Sequence, residues 1–298
     1  MKSVNVNLKK RTYQIGVEAG LLALRIELPQ FYGRCAVITD TNVGRFYGAR
    51  IRRALSPSGL KVHTITIAPG ERSKTLATIE SLARKLLRAG IERGDVIIAL
   101  GGGVVGDVAG FLAATYMRGI DCIQVPTTLL AQVDSGIGGK TGVNLKEGKN
   151  LLGAFHQPVA VLIDPAVLRT LPVRQFNNGM AEVVKTAAIG NAKLFRFIED
   201  NAARVHGLEP RSLEHIIVEC CRLKARVVEK DERDLGARAR LNFGHTIGHA
   251  LEATGGYGRL LHGEAVSVGM VAAAKMAGEM GIASNRTVTR LINLLAEF

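Results

Sequence analysis

Apolar residues occupy every second position in VNVNL and again in YQIGV, so the first twenty residues predict an opening β-hairpin. RCAVITD (34–40) and KVHTITI (61–67) are short apolar runs rich in β-branched residues, and each predicts a strand. Helical spacing follows both, over Arg45 to Leu55 and Thr75 to Ala89, after the polar breaks TNVG and PGERS. DVIIAL (95–100) and DCIQVP (121–126) are further strands, separated by a helix-like segment from about Val105 to Tyr116, and VAVLID (159–164) adds a late one. Strands alternating with helices predict a mostly parallel sheet covered on both faces. After Pro172 the strand signals stop, and Glu214 to Glu229 and Ala265 to Met280 carry long helical periodicity. The change sets a domain boundary near residues 165–175. An α/β domain is expected over 1–170 and a helical one over 171–298.

The stretch from Asp95 to Gln157 is chemically the densest. Its apolar run meets the glycines of GGGVVGDVAGF before a helix begins. Such a turn makes an anion site, because the glycines let the backbone approach a phosphate and the first-turn N–H groups point at it. Gly101-Gly102-Gly103-Val104-Val105-Gly106 fits G-x-G-x-x-G, which alone is a weak signal. Two strand–helix units precede it, so the glycines are expected mid-sheet, near a switch in strand order. The ribose-binding acid about twenty residues on would be Asp121, at a strand start; Asp40, at a strand's carboxyl end, suits that role better. Downstream, VPTTLLAQVDSGIGGKTGVN and EGKNLLGAFHQP supply Lys140, Lys146 and Lys149 with Thr127, Thr128, Asp134 and Asn150. These read as a floor for cofactor and substrate.

Composition narrows the classes. The net charge is +13, but the basic residues are scattered and there is no Trp to stack bases, which argues against nucleic acid. An anionic small substrate accounts better for lysines flanked by glycines. No apolar run approaches the ~18 residues of a membrane helix, and MKSVNVNLKK lacks the apolar centre of a signal peptide. The four cysteines form no C-x-x-C pair, and reduced thiols in a cytoplasm are expected.

The second half holds GMAEVVK (179–185), NFGHTIGH (242–249) and HGE (262–264). His245 and His249 share one helix face as in a zincin, but the Glu required between them is absent. Two metal sets stay open on spacing alone: His245 with His249 and an acid, or one of them with His262 and a distant acid. A catalytic zinc site needs three protein ligands and an open position. The bland alternative is a group of hydrogen-bonded core or capping histidines, with Glu182 and Lys185 a simple i,i+3 pair.

Taken together, GGGVVGDVAGF, YMRGI, VPTTLLAQVDSGIGGKTGVN, GKNLLGAFHQP, GMAEVVK, LNFGHTIGHALE and HGEAV closely resemble the 3-dehydroquinate synthase family, from about Val17 to Ala274. The resemblance implies a Rossmann-like NAD-binding α/β domain followed by an all-helical metal-binding domain, with the active site between them. It implies Glu182, His245 and His262 as ligands of a divalent ion, zinc or cobalt. NAD would be held by Asp40, Asn42, Glu71, Lys74, Gly102, Gly103, Val104, Asp107, Thr127 and Thr128. The phosphorylated substrate would meet Asp134, Lys140, Lys149, Asn150, Lys185, Lys224, Arg238, Asn242 and His249. Arg118 of YMRG would reach the neighbouring subunit's site, which implies a homodimer. The reaction implied is transient oxidation by NAD, elimination of phosphate, re-reduction and an aldol closure to 3-dehydroquinate.

The chain departs from the family at several points. Ser135-Gly136 stands for the usual Ser-Ser, Thr186 for a common Tyr and Asp234 for a Glu. It stops at Phe298, before the family's late Asp-Lys-Lys motif: the segment is either dispensable or missing from a shortened form. A catalytically weak truncated form is an alternative to the full activity, and weaker substrate binding than in full-length relatives is expected. Related cyclases making 2-deoxy-scyllo-inosose or valiolone share the glycine and metal motifs, whereas Arg238, Asn242 and the KTGVN…GKN run favour dehydroquinate. A metal-dependent polyol dehydrogenase of related fold is a further alternative, and it would release NADH.

Overall fold

The computed structural model describes residues 1–24, 26, 28, 32–255 and 259–298. The strands are β1 (Lys2–Val6), β2 (Tyr13–Val17), β3 (Arg34–Asp40), β4 (Lys61–Ile67), β5 (Val96–Gly101), β6 (Asp121–Pro126), β7 (Lys140–Leu145), β8 (Gly148–Phe155) and β9 (Ala160–Ile163). Seven form one sheet in the order β1-β2-β9-β6-β5-β3-β4, and β7 and β8 make a separate antiparallel ribbon. Only the β1–β2 hairpin is antiparallel in the main sheet. The expected mostly parallel sheet is therefore observed.

Helices α1 (Thr41–Leu55), α2 (Leu76–Arg88) and α3 (Gly103–Thr115) connect the early strands. Tyr47, Ile51 and Leu55 of α1 pack with Val37, Ile98 and Val125 on one face of the sheet. Ile79 and Leu82 of α2 and Val108 and Leu112 of α3 pack with Ile38, Ile97 and Ala99 on the other. The helices that follow the neighbouring strands β3 and β5 thus leave toward opposite faces, which opens a crevice at their carboxyl ends. All six residues of β5 are buried, as a central parallel strand requires.

Two differences from the sequence expectation bear on the site. Helix α1 begins at Thr41, not Arg45, because Asp40 Oδ1 accepts hydrogen bonds from the N–H groups of Asn42 (2.8 Å) and Val43 (2.9 Å) and caps the first turn. Residues 140–155 fold as the β7–β8 ribbon, where no strand was expected. Their glycines and lysines break the apolar alternation, and only Val143 is a buried anchor against the α2–α3 side of the sheet.

From Val173 onward the described residues hold no strand. They form α4 (Val173–Gly190), α5 (Ala192–His206), α6 (Pro210–Lys230), α7 (His245–Thr254), α8 (His262–Glu279) and α9 (Asn285–Ala296). One apolar cluster joins both halves: Val4, Ile15, Val161 and Ile163 of β1, β2 and β9 pack with Met180, Val184, Ile216, Val266 and Leu291 of the helices. No helix among the described residues is long and apolar enough to cross a membrane.

Candidate active site

The crevice between β3 and β5 carries the first group of predicted residues. Asp40 and Asn42 lie at the end of β3 and the start of α1. Gly102 precedes the first turn of α3, which holds Gly103 and Val104 and has no side-chain cap, so its N–H groups are open to an anion. A Cβ on Gly102 would lie 2.9 Å from Thr128 Cγ2, and one on Gly103 2.9 Å from Ser135 Oγ. A side chain at either position would displace Thr128 or Ser135 from the turn. The Thr127 N–H donates to the Gly101 carbonyl at 2.9 Å, and its hydroxyl is buried without a hydrogen-bond partner.

One turn into α3, Asp107 meets the buried ammonium of Lys74, which also contacts Asn150 of β8. Burial pushes the Asp107 carboxyl up, against the pull of Lys74. Glu71 accepts from Asn144 Nδ2 at 2.8 Å, and Asn144 Oδ1 accepts from the Asn150 N–H at 2.9 Å. The ribbon is thereby tied to Glu71, beside the crevice.

The residues between Thr127 and Ser135 form the seam to the helical half. They touch the glycine turn on one side. On the other, a Cβ on Gly179 of α4 would lie 2.6 Å from the Leu130 nitrogen. The short π-helical turn Ala131–Ser135 presents Asp134 to Lys224 of α6, whose ammonium also donates to the Asp134 carbonyl at 2.8 Å. Burial opposes charge on Asp134, but Lys224 and then Lys185 outweigh it and hold the carboxyl well below the usual range.

Three segments converge next to this pair. Glu182 sits on α4, His245 opens α7 and His262 opens α8. The helices meet backbone to backbone. A Cβ on Gly248 would lie 3.1 Å from Val266 Cα, and the Gly263 N–H donates to Asn178 Oδ1 at 2.6 Å. His245 Nε2 lies 3.9 Å and His262 Nε2 3.7 Å from Glu182 Oε1. Each imidazole offers its other nitrogen to an acceptor: His245 Nδ1 to the Phe243 carbonyl at 3.3 Å, His262 Nδ1 to Glu252 Oε2 at 3.4 Å.

Burial, reinforced by the Lys185 charge, pushes His245 down to about 4. Burial pulls His262 down as well, but its carboxylate neighbours Glu182 and Glu252 outweigh it and lift it to about 9. On Glu182 burial opposes ionisation and the Lys185 ammonium prevails, so its carboxyl lies below its usual value.

These residues fit a divalent cation. Glu182 Oε1 is buried with no hydrogen-bond donor, and two imidazole nitrogens face it. Two ligands sharing an ion at about 2.1 Å cannot stand more than about 4.2 Å apart, and both Glu–His separations meet that limit. His249, Glu252 and His262 form a second cluster of donors, but Glu252 already accepts from Lys149 at 3.0 Å. The first cluster holds the carboxylate oxygen that lacks a partner.

Other predicted residues take up distinct places. Lys149 extends from β8 to Glu252 on α7, Lys140 of β7 pairs with Asp234, and Arg238 donates to the Gly138 carbonyl at 3.2 Å. Asn242 ends a short 3-10 turn just before α7, and His249 lies one turn after His245. Arg118 is not with the others. It follows the far end of α3, roughly 20 Å along the helix from the glycine turn. Three residues that organise the site went unread in the sequence. Glu252 could have been found as the acid three positions after His249 in GHTIGHALE. Asn144 stands in the KTGVN run but has no role of its own in that reading, and Asp231, which bridges backbone N–H groups around Arg238, gives no signal.

Comparison with known proteins adds to this geometry. The profile described as 3-dehydroquinate synthase N-terminal matches residues 64–178, and the one described as 3-dehydroquinate synthase C-terminal matches 179–298. The chain belongs to the 3-dehydroquinate synthase family. A 3-dehydroquinate synthase from Symbiobacterium thermophilum is 50% identical over 296 residues, covering 97% of this chain and 82% of that protein. Among solved structures, a 2-deoxy-scyllo-inosose synthase complexed with carbaglucose-6-phosphate, NAD+ and Co2+ superposes with a TM-score of 0.92 at 32% identity, covering 100% of this chain and 82% of that one. A 2-epi-5-epi-valiolone synthase from Streptomyces hygroscopicus with NAD+ and Zn2+ bound gives a TM-score of 0.89 at 29% identity, covering 98% and 81%.

Proposed function

We propose that the protein is a 3-dehydroquinate synthase, converting 3-deoxy-D-arabino-heptulosonate 7-phosphate to 3-dehydroquinate and phosphate. The observation that carries this reading is the seam at 127–135. It packs against the glycine turn through Thr128 and Ser135, and against the helix that bears Glu182 through Leu130. A nucleotide held at the turn and an ion held by Glu182, His245 and His262 therefore flank one substrate pocket. Bound NAD and the divalent ion supply a transient oxidation of a ring carbinol, which acidifies the neighbouring C–H so that phosphate can leave, and its reversal before an intramolecular aldol closure. NAD+ with Co2+ or Zn2+ in the two related cyclase structures supports the cofactor assignment, zinc or cobalt serving here.

The chain's own residues do the rest. Asp40, Asn42, Glu71, Lys74, Asp107, Thr127 and Thr128 bind and orient the nucleotide with the backbone of Gly102, Gly103 and Val104. Burial works against charge on Lys185, but Glu182 and Asp134 keep it protonated, so it can face developing oxyanions together with Lys149. Lys140 and Asn150 donate to the substrate phosphate, joined by Arg118 of a second copy in a homodimer. Asp134, Lys224, Arg238, Asn242 and His249 fix the ring. Burial, then His262, keeps His249 neutral at physiological pH and able to take or return a proton. Residues 1–170 form the nucleotide-binding domain and 171–298 the metal domain of an enzyme working in the cytoplasm.

The decisive assay supplies heptulosonate phosphate, NAD and zinc or cobalt. Expected are inorganic phosphate, 3-dehydroquinate and no net change in nicotinamide absorbance. Turnover of sedoheptulose 7-phosphate or glucose 6-phosphate instead would assign one of the related cyclases, and accumulating NADH would assign a dehydrogenase. Either result overturns the proposal.

A further inference from the structure

We infer that Glu252 is a positioning residue of this site, holding the metal-facing ring of His262 with one carboxylate oxygen and the ammonium of Lys149 with the other. Its Oε2 lies 3.4 Å from His262 Nδ1 and its Oε1 3.0 Å from Lys149 Nζ. The inference rests on reading Glu182, His245 and His262 as the metal site.

Glu252 is 7% exposed, on a helix that brings it between α8 and the β7–β8 ribbon. A carboxylate there is costly unless its oxygens are satisfied. Among the described residues its hydrogen bonds run to two side chains already placed in the site, and none runs to backbone. Its burial therefore serves the site. An imidazole that donates from Nδ1 keeps the Nε2 lone pair for an ion, and its ring is held in one orientation. His245 obtains the same constraint from the Phe243 carbonyl, which no side-chain substitution removes. For His262 the constraint depends on Glu252. The second oxygen couples that ring to Lys149 on a different element, so the position of the ion and that of a substrate-facing ammonium are set by one group.

The test titrates metal-free wild type, Glu252→Ala, Glu252→Gln and Glu182→Gln with Co2+ against a chromophoric chelator. Circular dichroism of each metal-free variant separates folding from binding. Loss of an outer carboxylate typically weakens metal affinity about 10–100-fold, and Glu252→Ala is expected in that range with an altered visible Co2+ spectrum. Glu252→Gln, whose amide oxygen still accepts from Nδ1–H, recovers part of the affinity. If the alanine variant does not fold, the isosteric glutamine variant decides. Folded Glu252 variants with wild-type Co2+ affinity and an unchanged spectrum, while Glu182→Gln loses the ion, overturn this inference alone. Failure of wild type to bind Co2+, or undiminished binding by Glu182→Gln, overturns the metal site itself.

Discussion

The ammonium of Lys185 lies against the carboxylate of Glu182, one helical turn earlier on α4, and both side chains are almost wholly removed from solvent. Removing one partner of a buried pair leaves an uncompensated charge and costs about 3–5 kcal/mol. Glu182→Gln should therefore lower the stability of the metal-free protein by about 3 kcal/mol, since Asp134 still offsets part of the Lys185 charge. The double variant Glu182→Gln/Lys185→Met should be more stable than the single one. Urea unfolding of wild type, Glu182→Gln, Lys185→Met and the double variant measures the coupling, and additive losses would show that the two charges do not depend on each other.

Asp231 organises the loop that ends in Arg238. Its carboxylate accepts from the backbone N–H groups of Leu235 at 2.8 Å, Gly236 at 2.9 Å and Arg238 at 3.1 Å. Those bonds, first the one from Leu235, lower its pKa to about 2. A depressed carboxylate stabilises the fold above its unfolded value and loses that contribution as pH falls through the folded one. The stability gap between wild type and Asp231→Asn should stay constant above about pH 4 and close toward pH 2. A gap that is flat across this range would show that the carboxylate charge is not what the loop uses.

Thiol chemistry should be silent in the native state. Cys35, Cys122, Cys220 and Cys221 are all buried, and burial pushes the Cys35, Cys122 and Cys221 thiols up to about 12. The thiolate is the reactive form, so a group held that high is protonated at pH 8. A colourimetric disulfide reagent should find no fast-reacting thiol in native protein and all four in denaturant. A rapid native phase would reveal local opening around one of them.

α8 approaches α4 closely at Gly263. A Cβ there would collide with the Asn178 carbonyl, and the Gly263 N–H donates to the Asn178 side chain. Overpacking of this kind costs about 1–3 kcal/mol. Gly263→Ala should be destabilised by that amount and should lose affinity for Co2+, because His262 precedes it directly. Unchanged thermal unfolding together with unchanged Co2+ binding would show that the helices can separate freely.

Much of this was readable in the residues, for physical reasons that also mark the limits. The buried runs at β3, β5 and β6 announce a parallel sheet because a strand covered on both faces is predominantly apolar. The glycine turn stands out because a side chain there would displace the residues packed against it. The β7–β8 ribbon stayed hidden, since its outer positions carry Lys, Leu and Phe in no fixed order and its pairing depends on α3 beneath it. On spacing alone His249 is as good a candidate ligand as His262. Only the convergence of α4, α7 and α8 brings a buried, unpartnered carboxylate oxygen toward one set of nitrogens. Glu252 was missed because an acid on an amphipathic helix ordinarily faces water.

The place of β9 has a consequence for how the chain acquires its shape. It lies between β2 and β6, with Gln14 in register with Ala160. The opening hairpin cannot join the sheet until residues 160–163 exist to receive it. On a ribosome the first strands wait, unattached at that edge, through the synthesis of half the protein. Closing so distant a contact is slow, and holding the hairpin soluble in the interval falls to its own polar alternate positions.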